Sequence, residues 1–387
     1  MTLRILIYNS GLDKMPPNRN ININITNESF NTITTLPVIY KSASIDVCSQ
    51  QSFVKKYNDI VNTKLTNFVK SNNVDIGIFQ ELCPSYLQSF NFGQYIAGCY
   101  TIKQASNPCP KTLAIGTTST NTNIQMKIPE FIYSDELPNK IKVKYPHNFF
   151  QIVNINDSFN IINLHNRIFS DMSNETNLRF LLHLIGVLIK TNGTPIIICG
   201  DNNSKSLPIT KIDPESFSTV VDNFIECIQS EEFIKCIYGE NPKSTYYWQN
   251  KVHAMFSILF DLMAIQKYDL QPFFDLTKKQ CGLVPFSIND IIYYSQCNLQ
   301  LIEPIDLCEF SLKTSSHLPY LFDLTLNLKA NPNPLIDRLL PFADQILKIS
   351  AETDFKIYEQ VRGGSQYRHL AKYYKYKLKY LLLKNQS

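Results

Sequence analysis

Apolar residues recur along this chain in two rhythms. Short apolar runs bounded by polar residues predict strands at 3–9, 75–79, 113–116, 149–153, 159–164, 195–199, 290–295, 299–302 and 321–328. A spacing of three and four predicts helices. Phe53, Tyr57, Ile60, Val61, Leu65, Phe68 and Val69 share one helical face, and residues 175–190 form a second helix. Leu335, Leu339, Leu340, Ala343, Ile346 and Leu347 mark a third over about 335–350. Gly363 and Gly364 separate it from a final helix. Strands alternate with helices, yet hairpin-like pairs also occur, which predicts mixed sheets in an α/β chain and not a pure βαβ repeat. No internal repeat is visible. Residues 10–50 are polar and rich in Asn, Thr and Pro. They are too long for an ordinary connection and read as a surface insertion or lid.

The polar residues interrupting this pattern stand at the downstream ends of apolar strands. The first strand ends on Asn9 and the second on Gln80 and Glu81. Another ends on Asn163, Leu164 and His165, and the strongest on Gly200, Asp201, Asn202 and Asn203. Asp290 opens an apolar strand, and Ser315, Ser316, His317, Leu318 and Pro319 precede the last one. Singly, each has a plain structural reading, since Asp and Asn after a strand commonly form turns. Together they place chemistry on one rim of a sheet, where loops carry function on a rigid scaffold.

In this order the six elements resemble the endonuclease/exonuclease/phosphatase superfamily, over about residues 3–328. The resemblance implies a four-layer α/β sandwich: two packed mixed β-sheets flanked by helices, with the active site on one rim. Asn163-Leu164-His165 is similar to the Asn-x-His element of the deoxyribonuclease I, sphingomyelinase and deadenylase relatives, which makes base-excision repair the less favoured branch. Ser316 stands where the family carries an Asp, Tyr8 where it carries Trp, and no Arg precedes Asp290.

The resemblance also implies roles. Glu81 would ligate Mg²⁺, with Mn²⁺ as a substitute, and Asn9 would stand nearby. Mg²⁺ prefers few protein carboxylates and keeps several waters. Asp201 would activate or orient the attacking water, and Asn203 would position it against the phosphate. Asp290 would hold His317 protonated, because a nearby opposite charge raises a histidine pKa. His317 would stabilise the phosphoryl group, and His165 would donate to the phosphate or to the leaving oxygen. The expected activity is metal-assisted hydrolysis of a phosphoester, with nucleic acid the foremost substrate and an inositol phosphate or lipid head group as alternatives. Ser316 leaves a second class open, a catalytically weak family member acting as a binding module.

Composition adds bounds. At 387 residues, 44% hydrophobic and 18% charged, the chain has ample material for a large core. The formal charge is +4, but seven basic residues and no acids follow position 361. Without them 30 basic residues face 33 acidic ones, about −3, so the body is no general polyanion binder. The tail, 363–387, reads as an amphipathic helix with Arg368, Lys372, Lys375 and Lys379 on one face, suited to polyanions or to docking on another protein. Its Tyr/Lys-rich pattern resembles a C-terminal signature of giant nucleocytoplasmic DNA viruses, and the abundance of Asn, Ile, Lys and Tyr agrees. The expected parts are a catalytic domain over 1–330, a helical extension and linker over 331–362, and the tail. Ten cysteines without CxxC spacing read as buried reduced thiols. With no signal-like or membrane-spanning run, the expected location is intracellular, in host cytoplasm or virion, and not secreted. Trp248 reads as a core residue.

Overall fold

The computed structural model describes residues 2–9, 65–82, 92–101, 110–118, 124–127, 148–166, 174–202, 206–230, 247–281, 290–305, 317–327 and 332–352, with single positions at 129, 233, 236 and 307. The expected insertion at 10–50, the tail, Asn203, Ser315 and Ser316 lie outside them, as does the start of the helix expected from Phe53, whose residues 65–71 are helical.

Two six-stranded mixed sheets form the body. In the first, β1 (Thr2–Asn9) runs parallel to β2 (Ile76–Leu82), and β4 (Pro110–Thr118) and β3 (Phe92–Thr101) extend the sheet beyond β2. On the other side of β1 lie β12 (Tyr320–Leu326) and β11 (Cys297–Ile302), both antiparallel to their neighbours. The second sheet has the same plan. At its centre β7 (Phe159–Asn166) runs parallel to β8 (Ile196–Asp201). Antiparallel β6 (Asn148–Ile155) and β5 (Met126–Lys127) flank β7, and β10 (Asp290–Ser295) and β9 (Gln266–Lys267) flank β8.

Alternation of side chains along the strands divides the apolar residues between two cores. Ile5, Ile7, Ile76 and Ile78 of the first sheet cluster with Val153, Ile161, Ile197 and Ile292 of the second, filling the space between the sheets. The opposite face of the second sheet, carrying Ile152, Ile162, Ile198 and Ile291, packs under helices α1 (Asn174–Lys190), α2 (Phe217–Gln229) and α3 (Tyr247–Leu262). A further helix, α4 (Gln271–Cys281), turns Phe273 toward the inter-sheet core. The architecture is the α/β arrangement of two mixed sheets with flanking helices that the sequence implied.

Residues near the C-terminal end of the described chain belong to the helix-covered core. A turn at Pro334–Asp337 and helix α5 (Ala343–Glu352) bring Ile336, Leu339, Ala343, Ile346 and Leu347 onto it. Gly186 of α1 allows the approach: a Cβ there would stand 2.7 Å from Leu347. The single helix expected over 335–350 is divided by a 3-10 turn at Leu340–Phe342. Pro341 accounts for the break, since it has no N–H and its ring collides with the preceding turn. Another departure is covalent. Cys227 and Cys236 form a disulfide, and Cys281 is also disulfide-bonded, where reduced thiols were expected. Cys199 and Cys297 are free, and burial raises both thiols, Cys297 to about 12. No described helix is long and apolar enough to cross a membrane.

Candidate active site

Strand register assembles the site. In the second sheet His165 of β7 lies directly opposite Asp201 of β8, and Asp201 directly opposite Asp290 of β10. Three ionisable side chains from distant parts of the sequence thus form one row across the rim. In the first sheet Asn9 lies opposite Gln80, and His317 precedes β12 by a short turn. The apolar filling between the sheets gives way here to a polar layer. Asn9, Gln80, Glu81, Asn163, His165, Asp201 and Asp290 are all buried.

Local backbone departures aim two of these residues. Between Phe79 and Leu82 the pairing of β2 with β4 shifts register, and Glu81 adopts φ 52°. Such a bulge inserts one extra residue and re-aims a side chain. In a regular strand, neighbouring Gln80 and Glu81 would face opposite ways. Here both reach the second sheet: Gln80 Nε2 donates to Asn163 Oδ1 at 2.7 Å, and Glu81 Oε1 lies 2.8 Å from His165 Nε2. Asn163 and His165, two apart on β7, present the same face to receive them. A left-handed conformation costs a non-glycine residue about 1–2 kcal/mol, so the bulge is a strained feature placed at the site. Gly200, before Asp201, has φ 129°, and a Cβ there would fall 2.0 Å from the carbonyl oxygen of Leu164. Only glycine lets β8 approach β7 that closely.

The contacts of the site cross from sheet to sheet. Asn9 Nδ2 donates to Asp201 Oδ2 at 2.9 Å and lies 3.4 Å from His317 Nε2. His317 Nδ1 sits between the two oxygens of Asp290, at 3.1 and 3.2 Å. Asp201 Oδ2 stands between two imidazoles, 3.7 Å from His317 Nε2 and 3.8 Å from His165 Nε2. Burial works against charge on His317, but Asp290 foremost, then Asp201 and Glu81, overcome it and push the imidazole up to about 9. It is therefore an imidazolium at neutral pH. That charge also relieves the repulsion of two carboxylates placed side by side on adjacent strands, an arrangement otherwise destabilising.

Of the seven residues anticipated from sequence, Asn9, Glu81, His165, Asp201, Asp290 and His317 converge here. Asn203 lies outside the described residues. Three further residues complete the site. Gln80 and Asn163 tie the sheets together beneath it, Asn163 Nδ2 donating also to Phe79 O at 3.0 Å. Tyr320, the first residue of β12, is buried beside them, and burial foremost, then the Asp290 and Asp201 carboxylates, hold its phenol well above its ordinary pKa. Gln80 and Asn163 stood among the strand-end polar residues of the sequence without an assigned role, and burial explains their pairing, since an unsatisfied amide is costly there. Tyr320 carried no such signal.

Chemically the site offers two carboxylate–imidazole pairs around a shared aspartate. Such a set can hold or move a proton at Asp201 and place positive charge at His317. The oxygens of Glu81, Asp201 and Asn9 are hard donors of the kind that suit Mg²⁺ or Mn²⁺. Among the described residues no three His, Cys, Asp or Glu side chains stand ready-made as a chelating group. A Mg²⁺ ion, which takes one or two carboxylates and keeps its waters, does not require one.

Fold and site together define a two-sheet α/β protein with a buried carboxylate–imidazole centre on its rim. No family model matches the chain, and no curated protein matches it in sequence. Among solved structures it is similar to an endonuclease/exonuclease/phosphatase family protein from Bacteroides thetaiotaomicron, with 12% identity, 85% of this chain and 99% of that chain covered, and a TM-score of 0.39. It is similar also to ANGEL2, described as a 2',3'-cyclic phosphatase, at 14% identity over 84% and 96% of the chains and a TM-score of 0.38. A third is D. rerio TDP2 complexed with a single-strand DNA product, at 10% identity over 84% and 99%, TM-score 0.38. The chemistry of this chain rests on its own side chains.

Proposed function

We propose that the protein is a divalent-metal-dependent phosphoesterase that hydrolyses its substrate by attack of water, with nucleic-acid phosphodiesters the foremost substrates. The observation that carries this reading is the triple environment of Asp201: a carboxylate that accepts from Asn9 and stands between His165 and His317. Hydrolysis of a phosphoester needs a group to accept or orient the proton of water, and positive charge where the phosphoryl oxygens gain negative charge. Asp201 suits the first task. His317, held protonated by Asp290 and partly open to solvent, suits the second. His165 is buried against Glu81 and holds that carboxylate in place. Glu81 with Asn9 would hold Mg²⁺ or Mn²⁺, which when bound supplies further charge stabilisation at the phosphoryl oxygens.

The body charge of about −3 favours short or small phosphoesters over long duplexes. A panel of DNA, RNA, inositol phosphate and sphingomyelin, each with Mg²⁺, Mn²⁺ or EDTA, tests the proposal. Hydrolysis of at least one that stops in EDTA supports it. If none turns over under any metal, the binding-module alternative, motivated by Ser316, takes its place.

A further inference from the structure

The bulge that aims Glu81 is anchored on its upstream side. Gln80 follows Ile76 and Ile78 on the inward face of β2, and Asn163 follows Ile161 on the inward face of β7. Both side chains are fully buried, at 0% exposure. A buried amide is costly unless it is bonded, so two amides that face each other across the sheets specify one alignment. Gln80 Nε2 donates to Asn163 Oδ1 at 2.7 Å, and Asn163 Nδ2 donates to the Phe79 carbonyl at 3.0 Å. One side chain of the second sheet thus grips the two residues immediately before Glu81. Gln151 Oε1 of β6, 3.4 Å from Asn163 Nδ2, braces that amide within its own sheet. Register shows where the grip falls. β2 stays paired with β1 as far as Gln80 opposite Asn9, while its pairing with β4 passes from Phe79–Ala114 to Leu82–Thr112. Gln80 and Glu81 therefore face the single residue Leu113, and the extra residue turns Glu81 back toward the second sheet.

We infer that Gln80 and Asn163 are positioning residues of the proposed hydrolytic site: their clamp across the sheets holds the bulge in β2 and so aims the Glu81 carboxylate. The inference rests on the phosphoesterase reading for its metal and kinetic consequences, but not for its structural one. β7 acts as a template with two contacts two residues apart. Asn163 fixes residues 79 and 80, and His165 meets Glu81 at 2.8 Å. Without the first contact Glu81, held at φ 52°, is free to exchange its left-handed backbone for a regular strand. Its carboxylate would then point away from the second sheet, since neighbours along a strand face opposite ways. Loss of one buried hydrogen bond shifts an equilibrium of this kind about tenfold.

The experiment uses Gln80→Met, which keeps the length of the side chain and removes its amide, compared with wild type and with Glu81→Gln as the reference for a lost carboxylate. In the metal-free proteins the ring resonances of His165, which report the carboxylate beside it, are followed by NMR. Binding of Mn²⁺ is measured by electron paramagnetic resonance. In Gln80→Met the His165 resonances are expected to move toward their positions in Glu81→Gln, and the Kd for Mn²⁺ to rise about tenfold. On any substrate the wild type hydrolyses, the Mn²⁺ concentration for half-maximal rate should rise by a similar factor, with kcat at saturating Mn²⁺ less affected. A lower melting temperature would accompany any lost buried bond, so the resonances decide. Unmoved His165 resonances in a folded Gln80→Met overturn the inference. If Gln80→Met does not fold, Gln80→Asn, whose amide is one methylene too short to reach, takes its place with the same two outcomes. If neither folds, the pair serves the fold as a whole and the inference falls. A wild type that binds no Mn²⁺ and hydrolyses nothing would refute the proposed function, and the His165 resonances would still decide what aims Glu81.

Discussion

The two carboxylate–imidazole pairs of the rim are built in opposite senses. In one, the first sheet supplies the acid, Glu81, and the second the base, His165. In the other, the first sheet supplies His317 and the second Asp290. Both imidazoles stand at nearly equal distance from Asp201, 3.8 and 3.7 Å. What differs is access. The side chain of His165 is 2% exposed and that of His317 14%. The closed pair holds the bulged Glu81 against the second sheet. The open pair presents a charge to whatever enters. Near-symmetry of contacts therefore hides a difference in burial, and under the proposed function the open pair is the one that faces substrate.

Substitutions should separate the two pairs. His317→Ala is expected to lower kcat about 10²–10⁴-fold, the usual worth of a general acid–base group, with a smaller loss of stability than at His165, because its side chain keeps contact with solvent. His165→Ala removes the partner of a buried carboxylate and should cost about 3 kcal/mol of stability besides activity. Turnover and denaturant unfolding of both variants make the comparison. Equal stability losses would end the distinction between an open and a closed pair.

Gly200→Ala strikes the aspartate that both pairs share. Its new Cβ would overlap the Leu164 carbonyl, in a backbone conformation that favours glycine. A loss of about 3 kcal/mol or more and displacement of Asp201 are expected, read by unfolding and by turnover. Near-wild-type stability would show that β7 and β8 can separate freely.

A smaller effect lies in pH. The folded pKa of His317 is raised to about 9, so its charge contributes stability that is complete below its ordinary value of 6.5 and is lost as pH rises through about 9. NMR titration of the metal-free protein should find His317 protonated at neutral pH. Asp290→Asn should move its titration downward, because the chief attraction has gone. A wild-type titration near 6.5 would contradict the electrostatic account.

These contrasts also explain what the sequence could and could not tell. Asn9, His165, Asp201 and Asp290 were readable because a polar residue at the end of an apolar strand is conspicuous, and strand ends share a rim. The orientation of Glu81 was not, since nothing in Gln80-Glu81 announces a bulge or a left-handed backbone. Tyr320 was not singled out, since it precedes the strand expected at 321–328, and only the packing of the two sheets shows its ring buried beside Phe273. Helix α2 escaped notice although Phe217, Val221, Phe224 and Ile228 repeat at helical spacing and Asp213-Pro214 forms a start signal. The Cys227–Cys236 bond depends on a Cα separation of 5.3 Å, which spacing in sequence cannot supply.

Asp201 is the point on which the account turns, since Asn9, His165 and His317 all face it. The most direct test is the turnover of Asp201→Asn on a phosphodiester that the wild type hydrolyses with Mg²⁺ or Mn²⁺, with folding verified by its unfolding transition. The substitution keeps shape and volume and removes only the charge. A fall of about 10²-fold or more in a folded protein is the predicted result. A folded Asp201→Asn with wild-type turnover would contradict the central claim.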